Sequence, residues 1–201
     1  MTRFISPLRR VAALAVLVVL TACTAYSLVP VATTDVANFR VENDIAWNKA
    51  NKLRVESTAP LALWTADGPA LNYMLFVGGV KDGGYVLRQT GATETVNNLI
   101  FRNGMSATEI VELWEASMTK FNTTSIAKGS NIQPANFVGT PGFKFDFQYV
   151  AKDEVDRSGI GYAAVKDGKL YLIFFAGSKL HHYPLRLGSA MRIMETAKIT
   201  G

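Results

Sequence analysis

The sequence predicts an α+β domain, an antiparallel sheet with two main helices packed on it. Three observations carry this. Runs of strand and helix character follow the order strands, helix, strands, helix, which argues for helices laid on an antiparallel sheet. The run Phe143-Lys144-Phe145-Asp146-Phe147-Gln148-Tyr149 alternates apolar and polar residues without a break, as a half-exposed antiparallel strand must. Ser106 and Glu109 stand three residues apart before an apolar run, the spacing of a capping box.

Taken in order, Phe39 and Val41 alternate with polar neighbours, as in a strand. Two β-rich runs, LALWTADG and LNYMLFVGGV, flank Asp67-Gly68-Pro69, and Asp-Gly between such runs predicts a hairpin. Lys81-Asp82-Gly83-Gly84 is a second turn. In the helix that starts at Ser106, Ile110, Val111, Leu113, Trp114, Met118 and Phe121 line one broad face. Residues 123–142 are polar and read as a connection. GIGYAAV and KLYLIFFAG then flank Lys166-Asp167-Gly168, another hairpin. KLYLIFF is apolar on both faces and is expected at the centre of the sheet. Leu187, Ala190, Met191, Met194 and Ala197 recur at helical spacing after Pro184, which suits a helix start.

The amino terminus has a different character. Arg3, Arg9 and Arg10 are the only charges before Asp35, and ten apolar residues follow Arg10. A basic start, a short apolar run and small residues make a secretory signal. Ten residues span about 15 Å as a helix, roughly half a bilayer core. An uncleaved anchor from Val11 to about Pro30 is the competing reading, but Thr21, Thr24, Tyr26 and Ser27 suit a span poorly.

At Leu20-Thr21-Ala22-Cys23 the chain resembles the lipobox of bacterial lipoproteins. The resemblance covers residues 1–23. It implies that residues 1–22 are a signal peptide and that Cys23 takes a diacylglyceryl thioether and becomes the first residue of the mature chain. Further acylation at the new amino group, palmitate among the acyl chains, then gives a lasting membrane anchor, because each buried CH₂ contributes about 0.8 kcal/mol. Thr24, in place of an Asp, implies sorting to the periplasmic face of the outer membrane in a Gram-negative cell. Residues 23–34 then read as a lipidated tether, and 35–201 as one globular domain.

This excludes several function classes. Cys23 is the sole cysteine, so its acylation leaves no thiol for disulfides, nucleophilic catalysis or thiolate metal sites. Removing three arginines leaves 18 basic against 16 acidic residues, so the net charge of +5 falls to +2 and gives no argument for nucleic acid.

From Ser106 onward the capped helix, GFKFDFQYV, GIGYAAVKDGKLYLIFFAG and a last helix with Ala190 and Met194 resemble PsbP-like sandwich domains, which include several bacterial lipoproteins. The resemblance implies a binding or assembly module. It carries no family functional residue across to this chain.

Residues that could carry chemistry are few. His181 and His182 are the only histidines. Adjacent residues point apart in a strand, and a polar loop before the last helix is the preferred reading. Asp153, Glu154 and Asp156 suit a solvated hairpin tip better than a calcium loop, which needs more ligands. Gly78-Gly79 and Gly83-Gly84 lack the spacing of phosphate-binding loops. Asn122-Thr123-Thr124 matches a glycosylation acceptor, which means little in a bacterium. Ser130, Ser158 and Ser178 stand in no nucleophile-elbow context. No catalytic residue, metal ligand or cofactor is assigned. Trp47, Trp64, Tyr73, Phe76 and Tyr85 are core candidates or, alternatively, the lining of an apolar groove for a lipid or a partner segment. The function expected is a non-catalytic binding or scaffolding module of the cell envelope, with an envelope protein or a lipid as partner. A small-molecule or lipid-binding lipoprotein and an unrecognised hydrolase are the alternatives.

Overall fold

A computed structural model describes residues 25–91, 99–122 and 127–200. Cys23 and the signal peptide expected over residues 1–22 lie outside the described residues. The strands are β1 (Tyr26–Val29), β2 (Ala32–Val36), β3 (Phe39–Asn43), β4 (Trp47–Ala50), β5 (Val55–Glu56), β6 (Leu61–Thr65), β7 (Asn72–Lys81) and β8 (Arg88–Gln89). Helix α1 (Ala107–Asn122) follows, then β9 (Ala127–Phe137), β10 (Thr140–Val150), β11 (Asp156–Lys166) and β12 (Lys169–Ser178). Helix α2 (His182–Thr196) and β13 (Lys198–Ile199) close the chain.

Eight strands form one sheet in the order β1-β4-β6-β7-β12-β11-β10-β9, antiparallel throughout. This is the α+β architecture the sequence predicts. β12 lies inside the sheet, where a strand apolar on both faces belongs. The two cores lie on opposite faces of this sheet. Under α1, Trp114 packs on Phe174 and Phe147 on Phe174, with Leu75, Val77 and Phe145 around them. Under α2 and the small sheet β13-β3-β2, Phe39, Trp47, Phe76, Ile173, Phe175 and Met194 form the second core.

Local chemistry accounts for the elements. The Ser106 backbone N–H donates to Glu109 Oε2 at 2.7 Å and the Glu109 N–H donates to Ser106 Oγ at 3.3 Å, closing the capping box in both directions. Ile110, Val111, Leu113, Trp114 and Met118 are buried as the pattern requires; the Phe121 side chain is outside the described set. Asp167 and Gly168 both adopt positive φ, the primed turn that an Asp-Gly hairpin needs. Gly161 faces Phe145 so closely that a Cβ would collide with the ring. At Gly78 a Cβ would overlap the Ala37 carbonyl, and the Asn38 side chain donates to the Gly78 carbonyl at 3.0 Å. The β2–β3 turn is thereby seated on β7, which docks the small sheet on the large one.

Three sequence expectations change. Residues 127–137, inside the stretch read as a connection, form the outermost strand β9; an edge strand needs less apolar alternation than a central one, and the alternation of burial in β9 is broken at Asn131 and again at Pro134, with Phe137 alone fully buried. Residues 26–34, assigned to the tether, form β1 and most of β2: Val29 is buried opposite Trp47, and Thr34 pairs with Val41. The folded unit therefore includes residues 25–34. His182 lies in the helix and not in a loop before it, because Ser178 Oγ accepts from the His182 backbone N–H at 3.3 Å.

Candidate functional site

The five aromatics expected to line a groove are not brought together. Trp47, Trp64 and Phe76 are buried in the α2-side core, with Trp64 and Phe76 ring centroids 4.8 Å apart. Tyr73 is buried in the opposite core and shares a 2.8 Å hydrogen bond between hydroxyls with Tyr149. Burial first, and then the Tyr73 hydroxyl, push Tyr149 well above the ordinary tyrosine range. Tyr85 is half-buried at a third location, its ring 4.0 Å from the Arg88 guanidinium. The groove is thus absent for a simple reason: neighbouring positions along a strand alternate between faces.

The remaining sequence candidates are engaged in structure. Both Asp153 carboxylate oxygens accept from Arg157, at 2.8 and 2.6 Å, and Arg157 also donates to the Ala70 carbonyl at 2.8 Å. Those guanidinium bonds bring Asp153 down to about 2. Asp67 accepts two bonds from Arg186, at 2.8 and 2.7 Å, and a third from Asn72 Nδ2 at 2.6 Å. The guanidinium again holds that carboxyl below its usual range. Ser178 Oγ lies 2.9 Å from His182 Nδ1, a nucleophile–base contact in distance alone. The same hydroxyl caps the helix, and the nearby Asp67 carboxylate is held by Arg186 and Asn72. Among the described residues no carboxylate hydrogen-bonds the imidazole as a triad requires. Among the described residues no cluster of three or more His, Cys, Asp or Glu side chains could hold a metal ion.

A pocket that the sequence did not predict lies where the described chain begins. It has a volume of about 450 Å³ and is lined by Tyr26, Ala50, Lys52, Leu53, Arg54, Val55, Leu63, Pro69 and Ala70, within the size range of ligand sites. Its walls come from five elements. Tyr26 and Ala50 are register partners on β1 and β4. Leu63 projects from β6, Val55 from β5, and Pro69 and Ala70 close it from the β6–β7 loop. The Asn51 N–H donates to the Ala25 carbonyl at 3.0 Å and the Ser27 hydroxyl to the Asn51 side chain at 3.0 Å, which ties the start of β1 to the pocket rim. Lys52 and Arg54 give an otherwise apolar pocket a cationic lip, and neither forms an ion pair among the described residues. Leu28 follows Tyr26 on the same side of the edge strand and is 69% exposed. Apolar walls with two cations in the lining suit an amphiphile with a negative head.

A second depression of about 390 Å³ lies between Met105, Ile110, Ile132, Pro134, Phe143 and Val165, near the start of α1. Its lining carries no charged or hydrogen-bonding side chain, so only backbone groups could orient a ligand there.

No protein-family model matches the chain, and no curated protein matches it in sequence. Among solved structures it is similar to cyanobacterial PsbP (CyanoP) from Synechocystis sp. PCC 6803, with a TM-score of 0.51 and 8% identity, over 90% of this chain and 95% of that one. The fold is PsbP-like, as the second half of the sequence suggests. LpqN, involved in cell envelope biogenesis of Mycobacterium tuberculosis, matches with a TM-score of 0.33 and 10% identity over 90% and 88%; a match at that level carries no argument.

Proposed function

We propose that this chain is a cell-envelope lipoprotein, anchored through acylated Cys23, whose domain is a non-catalytic binding module with the pocket beside β1 as its binding site. One observation carries the reading. The complete lipobox Leu20-Thr21-Ala22-Cys23 ends two residues before Ala25, whose carbonyl is already hydrogen-bonded into the domain. Two residues reach at most about 7 Å. An acyl group on Cys23 therefore holds the β1–β4 corner, and the pocket in it, against the membrane surface. Thr24 favours the periplasmic face of the outer membrane in a Gram-negative cell. No helix of the described residues is long and apolar enough to cross a membrane, and the anchor in this reading is lipid.

Metabolic labelling with radioactive palmitate tests it. The wild-type chain takes up label and is processed. Cys23→Ser takes up none and accumulates as a larger precursor, because a serine hydroxyl is a far weaker nucleophile than a thiolate. Equal labelling of the two, or none in wild type, overturns the reading; an anchor running to Pro30 is not the fallback, because Tyr26–Val29 is a strand of the main sheet.

A further inference from the structure

The ligand class of this pocket can be taken further, on the premise that the chain is anchored at Cys23. We infer that the pocket beside β1 binds an anionic phospholipid of the membrane that carries the anchor. The phosphate rests on Lys52 and Arg54, and the start of an acyl chain lies along Leu53, Val55 and Leu63.

Three independent features converge on this occupant. The first is position. The short link between residue 23 and Ala25 keeps the pocket mouth at headgroup depth, where phospholipid is the most concentrated amphiphile available. The second is charge. Lys52 and Arg54, two residues apart and both exposed, are the only charged residues of the lining, and neither has an acidic partner among the described residues. Two unpaired cations beside an apolar opening match a phosphodiester carrying two tails. The third is the apolar surround. Tyr26 and Leu28 stand exposed on the edge strand, at 40% and 69%, and Leu71 is 40% exposed just beyond Pro69 and Ala70. Tyr has an apolar ring and a polar tip, which suits the membrane interface. A water-facing domain gains nothing from this exposed set, but one lying on a bilayer buries it.

A protein partner could use the same apolar rim, but nothing in its chemistry calls for a paired phosphate and tail. Free inorganic phosphate could meet the two cations, but it would leave the apolar walls empty.

Native mass spectrometry of the full chain, purified from membranes in detergent and mixed with defined lipids, tests the inference. The covalent acyl mass on the protein reports the anchor. The non-covalent adduct reports the pocket, so failure of one is visible apart from failure of the other. With dioleoylphosphatidylglycerol the wild-type chain forms a 1:1 adduct, and with dioleoylphosphatidylcholine an adduct at least several-fold weaker. A cation near an anionic lipid contributes about fivefold in affinity. Lys52→Gln with Arg54→Gln therefore lowers phosphatidylglycerol binding about thirtyfold. Ala70→Trp, on the exposed pocket wall, narrows the pocket and weakens the adduct while thermal unfolding stays as in wild type. Excess inorganic phosphate does not displace the lipid. Equal adducts with the two lipids, an adduct unchanged in both variants, or displacement by phosphate alone overturns the inference.

Discussion

Deleting residues 1–34, so that the chain begins at Asp35, removes β1 and most of β2; deleting only 1–24 keeps both. The comparison isolates what residues 25–34 do for a domain that otherwise keeps all its elements. Entropy recovered by not ordering them offsets much of what their own burial contributed. The cost that remains falls on residues that stay behind. Trp47, fully buried and paired with Val29, loses cover on one side. Aromatics bury 150–250 Å², and re-exposing about a third of that costs about 1.5 kcal/mol at 25 cal/mol per Å². Asn43 Nδ2 loses the Pro30 carbonyl at 2.7 Å and keeps only that of Ile45 at 2.9 Å, a loss of about 1 kcal/mol. Val41 loses its cross-strand neighbour Thr34, worth about 0.5 kcal/mol.

The expected loss is about 3 kcal/mol, a large share of the 5–15 kcal/mol typical of a domain. In urea the Asp35 chain should unfold about 1–2 M earlier than the chain beginning at Ala25. Tryptophan emission should also shift to the red, since Trp47 reaches water. Coincident midpoints and identical spectra would mean that β1 and β2 contribute nothing. The domain could then stand on a flexible tether, and the argument that fixes the pocket at the membrane would fail with it.

Three further outcomes follow from the packing. Ser106→Ala opens the capping box and should cost about 1 kcal/mol, read as a lower urea midpoint; no change would place the helix start elsewhere. Gly78→Ala forces a Cβ into the Ala37 carbonyl and should cost about 1–3 kcal/mol, with the small sheet loosening first, as hydrogen exchange at Phe39 and Val41 would report. Acid stability depends on Asp153, whose folded carboxyl stands at about 2 against an ordinary 3.8. A depressed carboxyl contributes above the unfolded value and loses that contribution as pH falls through the folded one. Wild type should therefore lose stability between about pH 4 and pH 2 more steeply than Asp153→Asn, and parallel acid slopes would show that the Arg157 clasp is not formed in solution. Asp153 is half exposed, so the difference is small.

Much of the fold was legible because the informative residues are buried in a regular pattern. Phe143, Phe145, Phe147 and Tyr149 had to share a face, and they do. The two-sided apolar run from Leu170 to Phe175 had to be covered on both sides, and it lies inside the sheet. The aromatic groove failed for a reason that the sequence itself contains. Tyr73 and Phe76 are three apart in one strand, an odd spacing, so one ring enters each core. The pocket was invisible because its lining comes from five separated segments, among them Tyr26, Lys52, Leu63 and Pro69. No local spacing links them.

The misread strands β1 and β9 are the two edges of the main sheet, and they share a cause. A central strand is covered on both faces and paired on both sides, so its composition is forced. An edge strand pairs on one side only, and its outer groups meet water. Its sequence is then free to follow other needs. β9 carries Gly129 and Pro134, and Pro is tolerated at an edge because it leaves no ladder donor unpaired. β1 carries Tyr26 and Leu28 outward with no charge in its four residues. An exposed, uncharged, apolar edge invites association, and a water-soluble domain would be expected to blunt it with Lys or Pro. Retaining it costs solubility unless something covers it. Two residues upstream of Ala25 stands Cys23, and if it is acylated as proposed, a membrane held there would cover this edge and leave β9, the polar edge, facing solvent.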